Sequence, residues 1–150
     1  MKILITGVAG TTGSHLVRQC LDAGDEVVGV DDFFRGTRGN IEGLLDHPRF
    51  TFHQADFRVF IDQTRAGEFD GIYHLAAIVP TRYFYESPEL TYEVNCHGTY
   101  QLFKWALAGN VGRFVNASSS EIYGHPQESP FREDSVSIYD AVETTPRWSY

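Results

Sequence analysis

Lys2-Ile-Leu-Ile-Thr-Gly-Val-Ala-Gly-Thr-Thr-Gly13 is the stretch whose reading decides the fold. Lys2–Thr6 is a continuous apolar run that ends in glycine, as a strand buried on both faces does. From about Thr12 to Ala23, Leu16, Val17, Cys20 and Leu21 recur at helical spacing, and Gly24 follows as a stop. Between strand and helix stand Gly7, Gly10 and Gly13, at the spacing GxxGxxG rather than the commoner GxGxxG. Small residues in such a turn let backbone N–H groups approach a diphosphate at the helix N-terminus. Glycine turns also serve structure alone, so the weight lies in where this one falls.

Outward from that unit the same alternation continues. Glu26–Val30 reads as a second strand closed by Asp31 and Asp32, Ile41–Leu45 as a short helix and Phe50–His53 as a third strand. Val59–Arg65 is a weak helix and Gly71–Ala76 a fourth strand. One long helix fits Pro88–Leu107, with proline in its first turn and Gly109 beyond its end, and Arg113–Ala117 makes a fifth strand. Strands and helices in alternation imply a doubly wound α/β domain, a parallel sheet covered on both faces by right-handed crossovers. Ligands of such a sheet lie at the carboxyl ends of its strands.

The 150 residues suit one domain, and 42% hydrophobic with 21% charged residues is a globular composition. A net charge of −8 and a pI near 5.1 argue against nucleic acid or an anionic membrane surface as partner, since no basic field draws phosphates in. Cys20 and Cys96 form neither a disulfide framework nor a CxxC zinc pattern, which suits a reducing cytoplasm. No apolar run reaches spanning length, and the opening MKILITG turns too soon for a signal peptide. The six histidines show no metal spacing, so no metal is expected.

The residues after each strand carry the chemistry. Asp31 can accept hydrogen bonds from both adenosine ribose hydroxyls and would repel a 2′-phosphate, which favours NAD over NADP; Arg35 and Arg38 nearby pull the other way. Asp56 is placed to take the adenine amino group. His74-Leu-Ala-Ala77 supplies small residues that let the backbone pass close to a cofactor, with His74 itself a strand residue rather than a ligand. Ser118-Ser-Ser-Glu-Ile-Tyr-Gly124 brings three hydroxyls and a carboxylate to the fifth strand's end, as donors for a sugar hydroxyl and a base, or as a polar loop.

Taken together these segments resemble the extended short-chain dehydrogenase/reductase family of NAD-dependent sugar epimerases, dehydratases and decarboxylases. The resemblance runs over the whole chain: TGxxGxxG at Thr6–Gly13, the acidic end of strand two at Asp31, HLAA at His74–Ala77, VNxxGT at Val94–Thr99 and SSSEIYG at Ser118–Gly124. It implies cofactor contacts from Gly7, Gly10, Thr11, Thr12, Gly13, Asp31, Asp32, Asp56, Phe57, Leu75, Ala76, Ala77, Asn95 and Ser118. It implies catalytic roles for Ser119, which holds the reacting sugar hydroxyl, for Glu121, and for Tyr150, which matches the YxxxK tyrosine within RWSY. Tyr83, Tyr85 and Ser120 would border the substrate, although core packing of the two tyrosines fits equally well. A homodimer through the Pro88–Leu107 helix is the family's habit.

Tyr150 is also the final residue, and the lysine of that motif is not in the sequence. The expectation is therefore an incomplete NAD-binding domain over 1–150, with the rest of the sheet and a sugar-binding region carried elsewhere. Alone, the piece should fold poorly and turn nothing over, because uncovered apolar sheet costs ~25 cal/mol per Å².

In this family a 4-keto sugar forms and then has three fates. Dehydratases carry Asp-Glu where this chain has Ser120-Glu121, and a serine hydroxyl is far too weak an acid to replace a carboxyl group. Epimerases need no second acid or base. UDP-glucuronate decarboxylases carry Ser/Thr-Ser-Glu-x-Tyr-Gly, which Ser119–Gly124 satisfies. The loop Asp31–Asn40 and the YxYxxP segment Tyr83–Pro88 are similar to theirs as well, whereas Ala77–Pro80 and YDAVETTPRWSY differ. The expected function is thus decarboxylase-like, with a 4-epimerase as the alternative. A non-catalytic NAD(P) sensor is a third reading, and it has no need for Ser119, Glu121 and Tyr150 together.

Overall fold

The computed structural model describes residues 1–124 and 129–136. Five parallel strands, β1 (Lys2–Thr6), β2 (Glu26–Asp31), β3 (Phe50–Gln54), β4 (Gly71–His74) and β5 (Arg113–Asn116), form one sheet in the order β3-β2-β1-β4-β5. β1 lies at the centre, with Leu4 opposite Val28 on one side and Ile72 on the other. The chain winds outward one way through β2 and β3, then returns past β1 to β4 and β5. The reversal point falls at the carboxyl end of β1, where an open α/β sheet leaves its crevice.

Alternation along each strand divides the core. Ile3, Ile5 and Val27 face one layer and pack with Val17, Cys20 and Leu21 of α1 (Thr11–Asp22). Leu4, Val28, Val30 and Ile72 face the other and pack with Phe57, Phe60 and Ile61 of α2 (Phe57–Gln63) and with Leu102 and Ala106 of α5 (Thr99–Ala108). Each such fully buried aliphatic contributes about 1.5–3 kcal/mol. Two-sided burial is why the strands read as apolar runs without alternation.

Three helices differ from the sequence reading. Ile41–Leu45 is not a helix of its own; two 3₁₀ turns, Arg38–Asn40 and Glu42–Leu44, occupy that region, with Ile41 and Leu44 buried three residues apart. Three residues per turn stacks such a pair on one face. α2 begins two residues earlier than periodicity suggests, because the Asp56 side chain caps it by accepting the Arg58 N–H at 2.8 Å. The single helix over Pro88–Leu107 is really α4 (Pro88–Tyr92), a π-helical segment at Glu93–Gly98 and α5, preceded by an unforeseen α3 (Thr81–Glu86). The wide turn lies where Asn95 is drawn to the β4 exit: its Oδ1 accepts the Ile78 N–H at 2.8 Å and its Nδ2 donates to the Ile78 carbonyl at 2.9 Å.

Candidate active site

The glycine turn is built by what it lacks. Gly7 sits at φ +76°, and its N–H donates to the Val30 carbonyl at 2.8 Å. A Cβ on Gly13 would stand 2.1 Å from the Gly7 carbonyl oxygen, so only glycine lets α1 start this close to β1. Gly10, the N-cap of α1, offers no side-chain acceptor. The first N–H groups of any α-helix lack an intrahelical partner. Here Thr11 and Thr12 are exposed at that end, a ready cradle for a diphosphate.

Asp31 is buried at the end of β2, and both of its oxygens are already engaged. Oδ2 accepts the Ala9 N–H at 2.9 Å and Oδ1 the Phe33 N–H at 2.8 Å. Burial raises its pKa above the ordinary aspartate value, against the opposing pull of those two amides. A carboxylate has about four acceptor sites, so two amides leave room for two ribose hydroxyls. Asp32 is exposed and turned to its own loop, accepting the Phe34 N–H at 2.8 Å.

Asp56 meets a partner that the sequence reading missed. Arg58 Nε donates to both of its carboxylate oxygens, at 3.0 and 3.1 Å, and the guanidinium forms an ion pair with it. Burial pushes the Asp56 carboxyl up, but the Arg58 hydrogen bonds and charge outweigh it and hold the group below its usual range. The signal for the pair was the Asp-x-Arg spacing across a helix start. An adenine amino group reaching Asp56 would share it with this guanidinium.

Beside the turn, the HLAA segment is anchored from beneath. Thr6 Oγ1 accepts the N–H groups of Leu75 and Ala76 at 3.2 and 3.3 Å, so its own proton goes to His74 Nδ1, 2.7 Å away. That assigns the proton to His74 Nε2, which donates to Thr99 Oγ1 at 2.9 Å. His74 is therefore a buried strut between β1, β4 and α5, and Phe57 packs edge-on to its ring at 4.8 Å. Burial lowers its pKa from 6.5 to about 4.

The consequence of that shift is a dependence of stability on pH. A histidine neutral in the fold and protonated in the unfolded chain contributes its stability fully above pH 6.5 and loses it as pH falls toward 4. The loss is about 3 kcal/mol. Urea denaturation of the full-length protein between pH 7 and 4 should show this slope in excess of that in His74→Gln. Equal slopes would mean that the imidazole accepts a proton inside the fold.

A groove of about 350 Å³ collects most of the expected cofactor residues: Gly7 and Gly10 after β1, Asp31 and Asp32 after β2, Asp56 and Phe57 after β3, and Leu75, Ala76 and Ala77 after β4. Phe34, Arg35, Arg58 and Ile78 from the segments after the strands also line it, as do Leu90 and Val94 from the helical stretch after β4, which the sequence reading did not single out. Asn95 does not line the groove; it fixes the backbone of Ile78, which does. Ser118, Ser119 and Ser120 are exposed just past β5, outside the groove wall. Ser119 caps the 3₁₀ turn Ser120–Tyr123 by accepting the Glu121 N–H at 3.3 Å, which leaves its own proton to donate. Glu121 is half-buried in that turn. Tyr83 and Tyr85 are not core packing: Tyr83 stacks on Phe34, and Tyr85 is exposed. Tyr150 lies outside the described residues.

A central strand, a glycine turn and a groove at the topological switch point define a Rossmann-type α/β domain. The sequence model of one family, described as GDP-mannose 4,6 dehydratase, matches residues 4–150. UDP-glucuronic acid decarboxylase 1 of Arabidopsis thaliana is 38% identical over 134 residues, covering 89% of this chain and 29% of that protein. Among solved structures, the UDP-Glc/GlcNAc 4-epimerase of Campylobacter jejuni superposes with a TM-score of 0.83 at 31% identity, over 93% of this chain and 43% of the other. The dTDP-glucose 4,6-dehydratase DesIV of Streptomyces venezuelae, solved with NAD bound, gives 0.85 at 30% identity, over 99% and 48%. The chain belongs to the GDP-mannose 4,6-dehydratase family of NAD-dependent epimerases and dehydratases. It spans under half the length of these three relatives.

Proposed function

We propose that residues 1–150 are the NAD-binding part of a longer nucleotide-sugar enzyme that works through a 4-keto intermediate, with UDP-glucuronate decarboxylation as its reaction. The observation that carries the reading is the pairing of Ser119 and Glu121 in one turn at the carboxyl end of β5, two strands from the glycine cradle. The identity to UDP-glucuronic acid decarboxylases supports it.

The glycine cradle fits a diphosphate by its space and by its amides, and the buried Asp31 fits a ribose diol. Its charge would repel a 2′-phosphate, which favours NAD over NADP as the cofactor. Bound NAD⁺ would supply the hydride acceptor at sugar C4. Ser119 would donate its hydroxyl proton to the C4 oxygen and so hold it. Tyr150, as phenolate, would take the C4 hydroxyl proton; a tyrosine with an ordinary pKa of about 10 needs a neighbouring cation for that. Oxidation at C4 makes the C5 carboxylate of a glucuronate part of a β-keto acid, whose C5–C6 electrons pass into the ketone as CO₂ leaves.

The experiment is a product mass spectrum from the full-length protein given NAD⁺ and UDP-glucuronate. Loss of CO₂ is expected. An isomer of unchanged mass would make it a 4-epimerase, the reading that the Campylobacter jejuni structure favours. Recovery of untouched nucleotide sugar would remove glucuronate as substrate.

The same preparation should be a homodimer by light scattering, in keeping with exposed Tyr100, Phe103 and Leu107 along one face of α5; a monomer would contradict that. Two free cysteines suit a reducing cytoplasm.

A further inference from the structure

The loop after β2 and the helix after β4 touch each other through one aromatic pair. The rings of Phe34 and Tyr83 lie 5.1 Å apart, tilted by 49°. Because β1 sits between β2 and β4 in the sheet, this contact crosses the carboxyl end of β1, where the glycine turn lies. Both partners are held from behind. Asp32 Oδ1 fixes the Phe34 N–H at 2.8 Å, and the Arg82 guanidinium lies 4.7 Å from the centre of the Tyr83 ring while donating to its hydroxyl at 2.8 Å. Phe34 also lines the groove, yet 43% of it is open to solvent, so its ring covers the groove rather than filling the core.

We propose that the Phe34–Tyr83 stack is a strap across the dinucleotide groove, which parts to admit the cofactor and, once closed over it, slows its release. The inference rests on the cofactor reading given above. An aromatic pair of this kind is a weak contact, so it opens readily and holds by joining the loop after β2 to the helix after β4. Tyr83 is then a positioning residue for the cofactor, and its place beside the sugar is secondary.

The test is the rate at which the full-length protein releases etheno-NAD⁺, a fluorescent analogue, when chased with excess NAD⁺. Phe34→Ala and Tyr83→Ala should each speed release about tenfold with the thermal midpoint of the free protein unchanged. The double variant should be no faster than either single one, because either change cuts the same strap. Tyr83→Phe loses the hydrogen bond from Arg82 but keeps the ring against Phe34, and should release within about twofold of the wild-type rate. Release within twofold of wild type in both alanine variants would overturn the strap while leaving cofactor binding intact. Effects that multiply in the double variant would also overturn it, by showing two separate contacts. Failure of the wild-type protein to bind etheno-NAD⁺ or NAD⁺ would overturn the cofactor reading itself and the strap with it. Should Tyr83→Ala lower the thermal midpoint, Phe34→Ala decides.

Discussion

Replacing Gly7 with alanine should raise the Kd for NAD⁺ on the order of a hundredfold in the full-length protein. Two penalties act at one atom. Gly7 holds φ +76°, which costs an L-residue about 1–2 kcal/mol. Its added Cβ would also lie 2.8 Å from both the Ala76 nitrogen and the Leu75 carbonyl carbon. Those are backbone atoms pinned by Thr6, so they cannot swing aside as a side-chain tip could, and overpacking of this kind costs about 1–3 kcal/mol. The chain can escape the strain only by opening the turn, and the open turn does not bind. Keeping the binding-competent form populated then costs about 3 kcal/mol, which appears directly as lost affinity. Gly43→Ala is the matched control: nothing lies within 4 Å of its added Cβ, and affinity should not change. Titration calorimetry on both variants decides it. A Gly7→Ala Kd within threefold of wild type would remove this turn from the cofactor site.

The glycine turn was legible because its cause is local. A strand buried on both faces shows as an apolar run, a helix start shows as spacing, and Gly10 and Gly13 are forced by contacts with Gly7 and Val8, whereas the Leu75 and Ala76 backbone that crowds Gly7 lies far along the chain. Asp31 was legible for the same reason, being the polar residue that closes the apolar run of β2. What distant partners decide was not legible. The loop after β2 folds back on the glycine turn, with Asn40 Nδ2 donating to the Ala9 carbonyl at 2.7 Å, thirty-one residues away. Periodicity over Pro88–Leu107 fits one helix, because a wide turn of six residues changes which backbone groups pair and leaves no mark in composition. Asn95, read from the sequence for its place by the cofactor, ties the backbone of Ile78, which lines the groove. Asp56 was read as an open acceptor, since Arg58 looks like an ordinary exposed helix residue until α2 is known to begin at Phe57. Composition excluded a basic field but did not place Arg35 and Arg58 on the groove wall, where their charges offset those of Asp31, Asp32 and Asp56.

Glu121→Gln should slow steady-state CO₂ release from UDP-glucuronate, counted over repeated turnovers, on the order of a hundredfold or more, with the affinity for NAD⁺ unchanged. Once CO₂ has left, the electrons of the broken C5–C6 bond sit in an enolate over C4 and C5, and C5 must receive a proton before the ketone can be reduced again. Ser118 and Ser120, on either side of Ser119 in the chain, carry hydroxyls too weakly acidic for that task. Glu121 is the carboxyl group, on a turn whose N-cap is Ser119. An amide of the same shape preserves that turn, because Ser119 Oγ accepts the backbone N–H of residue 121, which the substitution leaves alone. It removes the ionisable carboxyl group, and with it the acid. Glu121→Asp, a shorter acid, should recover part of the rate, which a merely structural role would not require. An epimerase makes a different demand: its keto sugar only has to turn over between oxidation and reduction, and loss of this carboxyl should change isomer formation by no more than a few fold. Measuring CO₂ release and sugar isomers from the same Glu121→Gln reaction therefore separates the two fates. Undiminished CO₂ release would transfer the C5 proton to another acid, whereas a lost release with intact cofactor binding assigns it to Glu121.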